Sequence, residues 1–156
     1  MAYRGFDEAE PDAPIRRNEV MMTADGTQVR ASGRFVTIAT VICSATMVVF
    51  GAWMRVDPAG FAEWANWPNH VHFLHDAGVF QLGIGLMMLC ALWWRDALAV
   101  VLFGFAFANT FHAINHAMDA DLGGNSSDFW TLGAASVIAV AALGVRLRIL
   151  DQRKGK

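Results

Sequence analysis

The stretch AGVFQLGIGLMMLCALWWRDALAVVLFGFAFANTFHAINHAM, residues 77–118, decides the fold. It holds two apolar runs, 77–94 and 97–118, free of Asp, Glu, Lys and Arg and parted by Arg95 and Asp96 alone. Each run is close to the roughly 20 residues that a helix rising about 1.5 Å per residue needs to cross about 30 Å of hydrocarbon. So short a link predicts an antiparallel helical hairpin. Outward from this pair, residues 35–54 and 129–145 form two further runs of the same kind. The expected fold class is all-α: a four-transmembrane-helix bundle over 35–148, with a flexible tail over 1–34 and a basic tail over 149–156.

Composition agrees. Of 156 residues, 55% are hydrophobic, against the 45–50% or so usual for soluble domains. Residues 1–34 carry charges throughout and lack the basic start, apolar core and cleavage site of a secretory signal. With Pro11, Pro14, Gly5, Gly26 and Gly33 and no sustained period, they read as a solvated cytoplasmic tail.

The twelve Lys and Arg set the orientation. Arg4, Arg16, Arg17, Arg30 and Arg34 precede the first run, Arg95 lies in the second loop, and Arg146, Arg148, Arg153, Lys154 and Lys156 close the chain. Only Arg55 lies in the first or third loop. The positive-inside rule then predicts that both termini are cytoplasmic. Asp57, Glu63, Asp119, Asp121 and Asp128 make the opposite face acidic, an asymmetry hidden by the net charge of −2. This pattern argues for the lipid bilayer as partner and against nucleic acid.

Several residues read as structural. Cys43 and Cys90 fall at different depths and predict no disulfide. Gly78, Gly83 and Gly85 allow close helix packing, and Gln81, on the face of Gly78 and Gly85, predicts an interhelical hydrogen bond. Phe61, Trp64 and Trp67, between Pro58 and Pro68, suit an interfacial helix or an aromatic belt. Asn69, Asp96 and one of Ser126, Ser127 or Asp128 are cap-type residues at the expected helix starts.

Chemistry concentrates in NHVHFLHD, 69–76, and NTFHAINH, 109–116, which together contain all five histidines. With the turn between Arg95 and Asp96, His75 falls level with His116, and Asp76 with Asn115. Asn109, His112 and His116 form one helical stripe; His72, His75, Asp76 and Val79 form another. If these stripes face, they converge just beneath the acidic surface. Three chemistries suit such a cluster. The first is a transition metal ion (Zn, Cu or Fe), with His72, His75, Asp76, His112 and His116 as candidate ligands. Haem is the second, held by His75 and His112 as axial ligands beside Phe73, Phe80 or Phe111. The third is a proton or redox relay. Against all three stands a hydrogen-bond network that only fixes helix packing, with His70 and His72 simply solvated. No Cys-based metal spacing, nucleophile elbow, phosphate loop or dinucleotide fingerprint occurs, and no residue is assigned a catalytic role.

At His75, Asp76, Ala77 and Gly78 running into Gln81–Gly85, and at 109–116, the chain resembles small four-helix integral membrane proteins of bacteria, mostly actinobacterial and DoxX-like. That resemblance covers roughly residues 35–148 and implies a four-helix bundle in the bacterial inner membrane. It implies no substrate. The leading expectation is metal or haem binding for metal handling or membrane redox chemistry. A non-catalytic accessory subunit of a larger membrane complex, or a homo-oligomer, is the alternative. Transport is disfavoured by the lack of inverted repeats or Pro-broken segments.

Overall fold

A computed structural model describes residues 17–155, with side-chain surroundings from residue 26. Residues 1–16, where part of the expected tail falls, lie outside the described residues. The elements are α1 (Arg17–Val56), α2 (Pro58–Trp64), α3 (Val71–Cys90), a single 3₁₀ turn (Arg95–Ala97), α4 (Leu98–Met118) and α5 (Asp128–Lys154). Four segments are long and apolar enough to cross a membrane: Gly26–Val56 within α1, Val71–Cys90, Arg95–Met118 and Asp128–Lys154. No strand occurs among the described residues.

The spans run beyond the apolar runs at both ends of the chain. Helix α1 starts at Arg17, so 17–34 is helical where an irregular tail was expected. Once an apolar span has nucleated a helix, each added residue contributes a hydrogen bond at little further cost. Gly26 and Gly33 oppose this by only about 1 kcal/mol each.

Helix α1 is the centre of the bundle. Its Val36, Ala39, Thr40, Cys43, Ser44, Met47, Gly51 and Met54 form one buried stripe, each three or four residues from another member along the helix. Helix α3 lies antiparallel along this stripe through Gly78 and Gly85. A Cβ at Gly78 would fall 2.7 Å from the Gly51 carbonyl oxygen, and one at Gly85 3.0 Å from that of Ser44. The backbones are close enough for the Ser44 hydroxyl to donate to the Gly85 carbonyl at 2.7 Å. Four small residues, seven apart on each helix, make this approach possible; in lipid, where apolar side chains gain little by leaving the solvent, van der Waals packing at such faces selects helix neighbours.

Helix α4 packs instead along α5. Asn109, 5% exposed, donates through Nδ2 to the Leu132 carbonyl at 2.7 Å and to the Ser136 hydroxyl at 2.9 Å. Helix α5 in turn rests on α1, giving the spatial order α3, α1, α5, α4. Consecutive in sequence, α3 and α4 share few contacts. The core shows the same division. Met88 and Ala91, near the α3–α4 turn, join Leu98, Leu102 and Phe105 of α4 in the main cluster. Leu74, at the far end of α3, packs with Met54 and Ala62 beneath α2. The condition that the α3 and α4 stripes face is therefore not met: a short link keeps two helix ends together but does not make them neighbours throughout.

Three local expectations also change. Gln81 makes no interhelical bond through its Oε1, which is buried without a partner among the described residues. The start of α3 is capped by His70, whose Nδ1 accepts from the Phe73 amide at 3.1 Å, rather than by Asn69. Helix α4 starts after the 3₁₀ turn at Ala97 with no side-chain cap. Cys43 and Cys90 are free thiols, as expected.

Candidate functional site

At the end of the bundle opposite the α3–α4 turn, two loop segments clamp each other. The Gly124 amide donates to the Asn66 carbonyl at 2.9 Å, and Asn66 Nδ2 returns a bond to the Gly124 carbonyl at 3.1 Å. Asn125 Nδ2 adds a third bond, to the Trp64 carbonyl at 3.2 Å. The geometry requires unusual backbone: Asn66 has φ 54°, Gly123 131° and Gly124 89°. Glycine reaches such angles without the steric cost of a side chain, and Asn tolerates them better than most residues. The α1–α3 half is thereby tied to the α4–α5 half.

Beneath this clamp lies a row of three titratable side chains. His112 and His116, one turn apart on α4, bring their Nε2 atoms to 3.1 Å. His116 Nδ1 lies 3.8 Å from Asp128 Oδ2 at the start of α5. That same carboxylate oxygen accepts from the Asn125 amide at 2.8 Å, which fixes its direction. Trp67 covers the row, its ring nearly parallel to His116 with centroids 6.4 Å apart. Trp67 also meets Phe73 of α3, with centroids 5.8 Å apart. Gly124 lets the loop lie over the site, since a Cβ there would already touch Asp128 Oδ2 and His116 Nδ1, each at 3.4 Å.

The α3 residues lie elsewhere. His72 and Asp76 form an exposed i,i+4 pair at 3.4 Å, with side chains 83% and 60% exposed. An exposed pair of this kind contributes little to stability. His75 is partly buried and makes no hydrogen bond, ion pair or ring contact among the described residues. His70 is committed through Nδ1 to the α3 cap. The five-residue set His72, His75, Asp76, His112 and His116 therefore does not converge. No group of three or more His, Cys, Asp or Glu side chains among the described residues is placed to hold one metal ion. His75 and His112, expected as a haem pair, share no contact either. The physical reason is the partnering of α3 with α1; the ring contact from the start of α3 toward the row runs through Trp67, which meets both Phe73 and His116.

Sequence reading singles out His112 and His116 but does not place Asp128 beside them, naming it only as one of three alternative caps and as one of the acidic loop residues. Depth matching across the loop at 119–127 would have found it, because the first residue of α5 must fall level with the last turn of α4. Trp67 was visible only as one of three loop aromatics.

Chemically, the row can work in two ways. With Nδ1–H of His116 turned to Asp128, its Nε2 lone pair faces His112. His112 can then donate a hydrogen bond, making a relay of three groups. Alternatively both Nε2 lone pairs can point at one cation. Two ligands of a tetrahedral ion at metal–nitrogen distances of 2.0–2.1 Å stand about 3.3 Å apart, close to the separation seen here. No family model, curated protein or solved structure matches this chain.

Proposed function

We propose that this is a multi-pass membrane protein with both termini cytoplasmic, which binds a transition metal ion at its extracytoplasmic boundary through His112 and His116. Asp128 orients His116 from behind, as carboxylates commonly do for metal-bound imidazoles. The remaining coordination positions are open to an incoming ligand, which suits metal handling rather than permanent structural storage. The observation that supports this reading is the convergence of two Nε2 atoms at 3.1 Å with a carboxylate behind one ring. Orientation rests on the Lys and Arg bias, and the bacterial inner membrane on the resemblance to small DoxX-like proteins.

Elemental analysis with an ultraviolet–visible spectrum of detergent-purified protein tests the reading. About one equivalent of metal is expected, lost in His112→Ala and His116→Ala and retained in His72→Ala and His75→Ala. Asp128→Asn should weaken binding by about 10–100-fold without abolishing it. Well-folded wild-type protein with no metal would refute the proposal. A haem absorption band lost in His75→Ala would overturn it in favour of the cofactor the geometry favours less.

A second reading, an accessory subunit of a membrane complex or a homo-oligomer, is favoured by one observation. An apolar groove of about 600 Å³ runs between α4 and α5, lined by Ala113, Ala117, Phe129, Gly133, Val137 and Val140. Small residues at such a surface allow another transmembrane helix to approach closely. Stoichiometric co-purification of a larger partner without bound metal would select this reading.

A further inference from the structure

At the opposite end of the bundle, α5 carries an arginine where its neighbours predict a small apolar residue. Ala139, Ala142, Arg146 and Ile149 form the inward stripe of α5, and Arg146 is 5% exposed. Its Nη2 donates to the Arg95 carbonyl in the α3–α4 turn at 2.7 Å. Its Nε is buried without a partner among the described residues. No carboxylate forms an ion pair with it among the described residues, and its charged neighbours are Arg153, Arg95 and Asp96. Arg153 follows seven residues later on the same helical face and is exposed, as is the side chain of Arg95. Among the described residues, Arg146 thus has two guanidinium neighbours and one carboxylate, that of Asp96. A buried charge is normally paired, because desolvation without compensation is costly.

A second observation locates this excess of charge. Trp93 and Trp94, at the end of α3 beside the turn, are 78% and 70% exposed. Exposed tryptophans at a span's end favour the headgroup level of a bilayer. The arginines therefore stand at the depth of lipid phosphates.

We propose that Arg146, Arg95 and Arg153 form a phosphate-binding site at the α3–α4 turn, filled by the headgroup of an anionic lipid or by phosphate from water. Guanidinium groups present paired donors that match phosphate oxygens, and basic pockets between transmembrane helices take such headgroups. The site is independent of the histidine row at the other end.

The test compares phosphatidylglycerol, phosphatidylcholine and inorganic phosphate added to delipidated protein in neutral detergent. Readouts are the thermal midpoint and lipid retention in native mass spectrometry. The principal variant is Arg95→Gln with Arg153→Gln, which leaves the Arg146 bond to the backbone of residue 95 in place and so should fold; Arg146→Gln is the companion. Phosphatidylglycerol should raise the midpoint and be retained, phosphatidylcholine should do neither, and the double variant should bind phosphatidylglycerol about tenfold more weakly or less. Stabilisation by inorganic phosphate alone would support the site and identify an aqueous source, whereas its absence beside a lipid effect would identify the headgroup. Equal response to both lipids with no response to phosphate, or an undiminished phosphatidylglycerol preference in the double variant, would overturn the proposal. Arg146 would then serve only to anchor the turn.

Discussion

Gly78→Ala should destabilise the bundle, whereas Gly83→Ala, five residues along the same helix, should not. A Cβ at Gly78 would sit 2.7 Å from the Gly51 carbonyl oxygen and 3.1 Å from both Arg55 Cγ and Met54 Cβ. The nearest obstacle is backbone, so relief requires that α1 and α3 move apart by several tenths of an ångström. Overpacking of this kind costs about 1–3 kcal/mol. Separation also stretches the buried Ser44-to-Gly85 bond, now 2.7 Å, worth about 1 kcal/mol net. Against these, alanine gains up to about 1 kcal/mol over glycine within a helix. The expected result is a net loss of about 1–2 kcal/mol. At Gly83 nothing lies within 4 Å of the added carbon, so only the propensity gain of about 0.5–1 kcal/mol remains. Reversible unfolding in mixed micelles, followed by circular dichroism against the mole fraction of denaturing detergent, measures both. A Gly78→Ala protein at least as stable as wild type, or equal losses in the two variants, would refute the pairing of α3 with α1.

Two more substitutions probe the other half of the molecule. Asn109→Leu removes the donor shared by the Leu132 carbonyl and Ser136 hydroxyl and should cost about 1–3 kcal/mol in the same unfolding assay; an unchanged midpoint would show that this side chain does not pin α4 to α5. Gly124→Ala forces a side chain onto φ 89° at a cost of about 1–2 kcal/mol. It should open the clamp to Asn66 and speed amide hydrogen exchange at 66 and across 119–127, with the centre of α1 unaffected; unchanged exchange in the loop would count against the clamp.

The four spans were legible because hydrocarbon forces every backbone polar group into intrahelical bonds, leaving length and hydropathy as sufficient signals. Neighbour choice was not legible from the same signals. Hydropathy says that 77–94 crosses the bilayer but not which helix it touches, and a short turn such as Arg95–Ala97 constrains only the ends it joins. The deciding information was present as Ser44 and Gly51 on one run and Gly78 and Gly85 on another, each pair seven apart, but its meaning depends on matching the faces of two helices joined by the longer segment that holds α2, whose length sets no pairing. The histidines follow from that match. As α3 turns Leu74 and Gly78 toward α1, His72 and Asp76, each two residues from a buried position and so on the opposite side of the helix, are carried to an exposed face.

The same geometry explains why the row on α4 depends on residues from three places in the chain. His112 and His116 come from one helix, Asp128 from the next, and Trp67 from the loop ahead of α3. Within α4 the His116 ring is held by its contact to His112 Nε2 at 3.1 Å, which leaves its Nδ1 side and its face to be fixed from elsewhere. Asp128 acts on its Nδ1 side and Trp67 on its face, and both are positioned by the mutual bonds of Asn66 and Gly124. The clamp therefore joins the two halves of the fold and orders the row at the same time. A change that loosens the loops without touching a histidine should disturb the histidine pair, so Gly124→Ala should weaken metal binding as well as speed exchange. Binding at wild-type strength in a protein whose loops exchange freely would show that α4 orders the pair unaided.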